Sequence, residues 1–360
     1  MIYITYIILL IILLRIESKL PADNKVRWII PLIYILFIGL RGASVGVDTA
    51  TYYNHYYEFG EYGCDFVEIG FDWLNRICYK LGFSQAPFFI ICAAIPILCV
   101  TIPAAKRLSR KEYTWFMLLF CTTTFSTFCN GMRQNIACGL FFVLMIYLQE
   151  TTIKYWKSFV IFVIGILLAS LFHVSVLFVI PFFFVRHLKV SPLIFTLIYL
   201  LSFIFVYYNV SMYFPAIELG ERNYSRYLGG DLTNQKASSL GFIAVTIRNI
   251  ILMLIAFLTK AYKRYPFLSN MTLMFFVMTN LGFNIPIISR VNMYFVFFYT
   301  LFIARTISNY KSNKNSIATI LALSLMAVII VLTVYAVVSP ANKLYPYSFY
   351  WDNSNYFKYL

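Results

Sequence analysis

Apolar runs long enough to cross a bilayer recur along almost the whole chain, and they exclude most of what 360 residues can otherwise fold into. A spanning helix needs roughly 20 consecutive apolar residues. Inside lipid every backbone N–H and C=O must be bonded within the segment, so helices are the natural solution for such runs. Charged residues make up 12% of the chain and apolar ones 61%, whereas a soluble domain carries about a quarter charged. The mean hydropathy is +0.77. These features predict an all-α, polytopic membrane protein, with residues 1–360 forming a single integral-membrane domain. The net charge of +15 does not point to nucleic acid, because surplus Lys and Arg in a membrane chain mark cytoplasmic loops.

The positions of those basic residues set the expected topology. Residues 2–14 are followed, not preceded, by Arg15, Lys19, Lys25 and Arg27, the reverse of a cleavable signal peptide. An uncleaved anchor with an external N-terminus is expected. Residues 27–40 return outward to an external loop, about 41–87, whose end at Trp73 to Leu81 reads as an amphipathic interface helix. Residues 88–103 lead in to Lys106, Arg107, Arg110 and Lys111, residues 113–129 lead out, and 136–148 lead in. The stretch 158–186 fits one long helix or two short ones hinged at Phe172-His173; charge parity favours the hairpin. Residues 191–208 precede a second external loop at 209–239. The runs 240–259, 268–288, 291–304 and 316–338 follow, with Arg290 at an outer tip and an external tail at 339–360. About 12 transmembrane helices result, with two long external loops, both termini outside, and most of the 29 basic residues inside.

The loop from Arg41 to Asp72 is richer than a connector needs to be. It holds Asp48, Glu58, Glu61, Asp65, Glu68 and Asp72 against one basic residue, Arg41, and reads as one wall of an active site at a membrane face. Other arginines fall where the positive-inside rule does not place them: Arg133, Arg222, Arg226, Arg248 and Arg290. Arg248 stands about 12 Å into a span at 1.5 Å per residue, where a guanidinium costs at least ~2.5–3.5 kcal/mol unless it faces a cavity or a partner. Snorkelling, or pairing with Asp48, Glu218 or Asp231, accounts for such residues equally well one at a time. Several together suit an anionic ligand, since arginine grips phosphate in a bidentate manner. His173, at the expected hinge, has the side chain of a general base near neutral pH or of a packing residue bonded to a freed carbonyl. Asp48 can serve as base, sugar-hydroxyl acceptor or turn-former. His55 and His187 read as surface and topological residues. The seven cysteines include no C-x-x-C pair. No metal site, cofactor or nucleotide-binding motif is expected.

Four stretches carry a resemblance. Arg41-Gly42 with Val45-Gly46-Val47-Asp48-Thr49 and Tyr52 resembles the opening signature of the EpsG family, bacterial membrane proteins grouped with the Wzy-type polymerases of exopolysaccharide, capsule and O-antigen. Glu68-x-Gly70-Phe71-x-x-Leu74-Asn75, Met132-Arg133-Gln134 and Phe172-His173-x-Ser175 follow in the family's order, and Ser289-Arg290 resembles its second half more loosely. The resemblance implies glycosyl transfer at the outer face of the bacterial cytoplasmic membrane, joining undecaprenyl-pyrophosphate-linked oligosaccharide repeat units with lipid pyrophosphate as leaving group. The lipid-linked oligosaccharide and the bilayer are then the partners, beside the flippase and chain-length regulator of the same pathway. The roles it suggests place Arg133, Arg248 and Arg290 on pyrophosphate, Arg41 and Asp48 at the sugars, and His173 as base. Thr49, Tyr52, Gln134, Arg222 and Arg226 complete the substrate contacts. A flippase for the same lipid-linked sugars, or a glycosyltransferase using a polyprenyl-phosphate sugar, is the competing reading. The flippase should show repeat symmetry between its halves, and none is evident.

Overall fold

The structure, a computed structural model, describes residues 2–21, 25–65, 67–207, 239–284, 286–309 and 316–352. Among them every regular element is helical, and the one β-type contact is an isolated bridge between Arg41 and Phe349. The chain divides into two compact units, residues 1–177 with 333–360, and residues 178–332.

The first unit contains α1 (Ile2–Glu17), α2 (Val26–Gly39), α3 (Thr49–Asn54), α4 (Tyr56–Tyr62), α5 (Ile69–Lys80), α6 (Gln85–Arg107), α7 (Arg110–Thr123), α8 (Phe125–Asn130), α9 (Met132–Glu150) and α10 (Tyr155–Ser170). Its centre is α6, packed against α2 on one side and α9 on the other. Local chemistry sets the ends of these helices. Ser109 and Glu112 form a reciprocal capping box at the start of α7, satisfying donors that a helix N-terminus leaves open. The run expected as one crossing at 113–129 is broken at Thr124. Thr122 and Thr123 there turn their hydroxyls back onto carbonyls of the preceding turn, a contact that bends helices.

The stretch expected as a long external loop is mostly helical. Its tyrosines pay for that order. Tyr52, Tyr53, Tyr56 and Phe71 join Phe88, Phe89, Met132 and Ile136 in one buried cluster, with Phe71 and Phe88 meeting edge to face at 5.7 Å. The interface helix begins at Ile69, not at Trp73, because Phe71 is drawn into that cluster and Gly70 bonds to the Leu171 carbonyl. Its other face exposes Ile69, Trp73, Ile77 and Leu81, spaced four apart, the stripe expected of a helix lying at a membrane interface.

The break expected near Phe172-His173 is present. α10 ends at Ser170 and a 3-10 segment runs from Val174 to His187. The tail returns to the first loop. Gly42 N–H donates to Ser348 O at 2.8 Å, Gly46 N–H to Lys343 O at 2.8 Å, and Tyr350 N–H to Leu40 O at 3.0 Å. Tyr347 stacks on Phe37 and donates its hydroxyl to the Phe37 carbonyl.

The second unit is built from α11 (Pro192–Ser202), α12 (Ile204–Tyr207), α13 (Ser239–Leu258), α14 (Ala261–Arg264), α15 (Pro266–Leu281), α16 (Pro286–Asn292) and α17 (Val296–Asn309), with most of α18 (Ser316–Val338). Aromatic contacts such as Tyr199–Phe276 and the Phe275–Tyr299 stack hold α11, α15 and α17 together. Amide staples reinforce them: Asn280 donates to Ser202 Oγ at 2.7 Å, and Asn284 to the Phe205 and Val206 carbonyls.

Five described helices are long and apolar enough to cross a membrane: Gln85–Arg107, Met132–Glu150, Leu240–Leu258, Ile288–Ser308 and Ser316–Val338. Four shorter apolar helices accompany them. An all-helical, membrane-embedded chain is therefore what the sequence pattern produces. Among the described residues the count of twelve is not reached on length, since α2, for example, has 14 residues, about 21 Å at 1.5 Å per residue, against a hydrocarbon core of about 30 Å.

Candidate functional site

Glu68 stands at the N-cap position of α5 with an extended backbone, and its side chain makes no cap. Its carboxylate is divided between two distant helices. Oε2 accepts from Arg133 Nη1 on the first turn of α9. Oε1 faces His173 Nδ1 at 3.2 Å, in the break after α10. An ionised carboxylate only accepts, so His173 Nδ1 carries the proton and Nε2 is the basic nitrogen. Arg133 also donates through Nε to the Tyr52 hydroxyl of α3 at 2.6 Å. Three of the four sequence stretches thus meet through Glu68, Arg133 and His173, and Tyr52 brings in the fourth.

Backbone contacts fix the arrangement. Gly70 N–H donates to the Leu171 carbonyl at 2.8 Å. A Cβ on Gly70 would lie 2.8 Å from that same oxygen, closer than real side chains come, so glycine is what lets α5 start against the break that carries His173. Tyr52 rests on Phe71 with ring centroids 5.3 Å apart.

The electrostatics divide the site into a buried and an accessible part. The side chains of Glu68 and His173 are 6% and 10% exposed, and that of Arg133 is 23% exposed. Burial by itself would raise the Glu68 carboxyl. The His173 hydrogen bond and the Arg133 charge outweigh it and hold the group down at about 2, so Glu68 is ionised throughout the physiological range. Burial pushes the Tyr52 phenol up, Arg133 opposes this and Asp48 adds to it. Tyr52 therefore stays protonated. Chemically the cluster is an imidazole held by a carboxylate, beside a half-accessible guanidinium at the N-terminus of a helix of 19 residues, where the helix dipole also favours an anion.

The other sequence-predicted residues fall elsewhere. Arg41 is 2% exposed; it donates to Thr49 Oγ1 at 3.1 Å and the Ile38 carbonyl at 2.8 Å, and lies over the Phe89 ring. It holds the turn from inside. Thr49 in turn donates to the Cys129 carbonyl at 3.3 Å. Gly46 has φ +97°, and a Cβ there would sit 2.4 Å from the Cys129 carbonyl oxygen, so the turn needs glycine on two counts. Asp48 is exposed at the start of α3, within electrostatic reach of Tyr52. Gln134 is buried beside Arg133 on α9. Arg248 on α13 and Arg290 on α16 belong to the second unit. Arg222 and Arg226, with the loop expected at 209–239, lie outside the described residues, apart from Ser239, which begins α13. His55 pairs with Glu58 on the surface, and all seven cysteines are free.

Glu68 was the residue without an assigned role. Its sequence signal was its place two residues before Gly70 at a helix start, inside a stretch that already carried the resemblance.

A family model described as the EpsG family matches residues 24–349, a span that includes all four stretches and both units. No curated protein and no solved structure matches the chain. The match covers nearly the whole chain, and on it the chain belongs to the EpsG family, a family of Wzy-type polysaccharide polymerases.

Proposed function

We propose that the chain polymerises undecaprenyl-pyrophosphate-linked oligosaccharide repeat units at the outer face of the bacterial cytoplasmic membrane, and that the Glu68 cluster is its catalytic centre. The observation that carries this reading is His173 and Arg133 held on opposite oxygens of one buried carboxylate. In the reaction, His173 Nε2 takes the proton of an acceptor sugar hydroxyl. The hydroxyl oxygen forms a bond to the anomeric carbon of the growing chain, and the bond from that carbon to the lipid pyrophosphate breaks. Arg133 and the α9 N-terminus stabilise the charge that develops on the leaving pyrophosphate. Glu68 keeps the imidazole in the required tautomer and stabilises the imidazolium once it forms, the role a carboxylate plays behind a catalytic histidine. Asp48 and Tyr52 face the sugars. Repeat units would arrive from a flippase, and a chain-length regulator would act on the product.

The test is surface polysaccharide and lipid-linked intermediates resolved on gels from a deletion strain complemented with variants. His173→Ala is expected to leave single repeat units on lipid with no long chains, since removing a general base costs about 10²–10⁴-fold in rate. Full-length chains from His173→Ala would remove it from catalysis. Repeat units accumulating on the cytoplasmic side in the deletion strain would instead identify a flippase.

A further inference from the structure

Basic residues from three stretches of the second unit gather around the start of α15. Lys260, Lys263 and Arg264 lead into it from the end of α13. Lys189 follows the 3-10 segment, whose end is tied to α15 by Asn270, which donates to the Val185 and Leu188 carbonyls at 2.9 and 2.7 Å. Phe195 meets Phe257 at 5.8 Å, so the start of α11 and the end of α13 lie side by side. Arg305 of α17 lies over the Tyr265 ring at 4.7 Å, and Arg186 over the Phe183 ring at 4.0 Å.

Among the described residues of this unit nothing acidic answers these charges. From residue 178 to 332 the sequence holds three carboxylates, Glu218, Glu221 and Asp231, and all three lie outside the described residues. Lys189, Lys260, Lys263 and Arg264 are exposed, and among the described residues none of them forms an ion pair. Lys260 also stands where lysine is awkward. Its φ is +55°, in the left-handed region where a helix usually ends on glycine or asparagine, so its charge is held there at a cost in backbone energy.

An apolar track leads up to the charges. On α13, within the candidate membrane span Leu240–Leu258, Ile243, Ile247, Ile250, Leu254 and Leu258 are exposed, at the spacing of one helix face. Leu188 is exposed beside Lys189. Exposed cations at the end of an apolar helix face are the complement of an acidic phospholipid, with its phosphate at the charges and its chains along the helix. A soluble acidic partner would meet the charges and leave the apolar track uncovered.

We propose that Lys189, Lys260, Lys263 and Arg264 form a headgroup site for an acidic phospholipid of the surrounding bilayer, with an acyl chain lying along α13. The site stands apart from the polymerase reading, and the Glu68 cluster belongs to the first unit.

The experiment uses the full chain in phosphatidylcholine vesicles that carry a trace of spin-labelled phosphatidylglycerol or spin-labelled phosphatidylcholine. The motionally restricted share of each label reports its relative association with the protein. The wild type is expected to prefer phosphatidylglycerol about fivefold or more, the equivalent of at least one basic residue near an anionic headgroup. Lys260→Asn with Lys263→Gln and Arg264→Gln should remove most of that preference, and asparagine suits the left-handed turn, so the fold is kept. Lys260→Arg with Lys263→Arg and Arg264→Lys should retain the preference. Lys106→Gln with Lys111→Gln and Lys154→Gln removes three exposed lysines of the first unit and should leave it nearly unchanged. An equal loss in that control would overturn the site, by showing attraction to charge at no particular place. Equal association of the two lipids with the wild type would overturn the lipid reading and leave the face to an acidic protein segment.

Discussion

Glu68 makes no cap for the helix that it precedes and instead holds two side chains that lie 65 and 105 residues further along the chain. That separation is why its role was not legible in the sequence. Among the six carboxylates between Asp48 and Asp72, Glu68 is marked only by its place before Gly70 in the resembling stretch, which does not say that it meets an arginine and a histidine from far away. Arg41, which the resemblance suggests at the sugars, is buried and donates to Thr49 and to the Ile38 carbonyl, contacts that nothing local announces. His173 and Arg133 were legible because each breaks a local expectation, a histidine in an apolar run and an arginine on the side where basic residues are scarce.

The Glu68 ion pair has a pH consequence. Its folded pKa of about 2 lies below the ordinary value of 4.5. The stability it contributes is therefore complete above about pH 4.5, and is lost as pH falls through that window towards 2. Thermal midpoints of the wild type and Glu68→Gln, measured in detergent from pH 6 to pH 2, should differ at neutral pH and converge in acid. A gap independent of pH would mean that the pair is not ionised in the folded protein.

At the scale of elements, the decisive feature is the joint between the start of α5 and the break after α10. The break was legible because a helix through 158–186 inverts the charge parity of everything downstream. Its partner was not, because the Gly70–Leu171 contact joins segments a hundred residues apart. The helices α3 and α4 were hidden as well. Nothing local marks Tyr52, Tyr53 and Tyr56 as buried, and only packing against α6 and α9 shows them to be core. Gly70→Ala should push the two elements apart. Crowding of this kind costs about 1–3 kcal/mol, and polymer length should fall more than stability does, because the displaced segment carries His173. Normal chain length with a lowered melting point would show that the joint serves folding alone.

For the whole molecule, the membrane class was set by composition and the helical architecture by the length of the apolar runs. The number of crossings was not, because helices such as α2, with 14 residues, are apolar but shorter than a span needs. The C-terminal return to the first loop was equally hidden, since its main-chain hydrogen bonds leave no mark in residue identity. Removal of residues 339–360 should loosen the turn at Arg41 to Asp48. Limited proteolysis of the truncated protein in detergent is expected to cut there first. Protection equal to that of the full chain would make the tail dispensable to the turn.

That same return sets an order in time. The Tyr347–Phe37 contact joins residues 310 apart, and Gly42 and Gly46 find their acceptors in residues made equally late. A nascent chain threading into the membrane must carry the turn from Arg41 to Asp48 unfinished until Lys343 to Tyr350 have been made. The turn is completed only when that stretch reaches the same side of the bilayer.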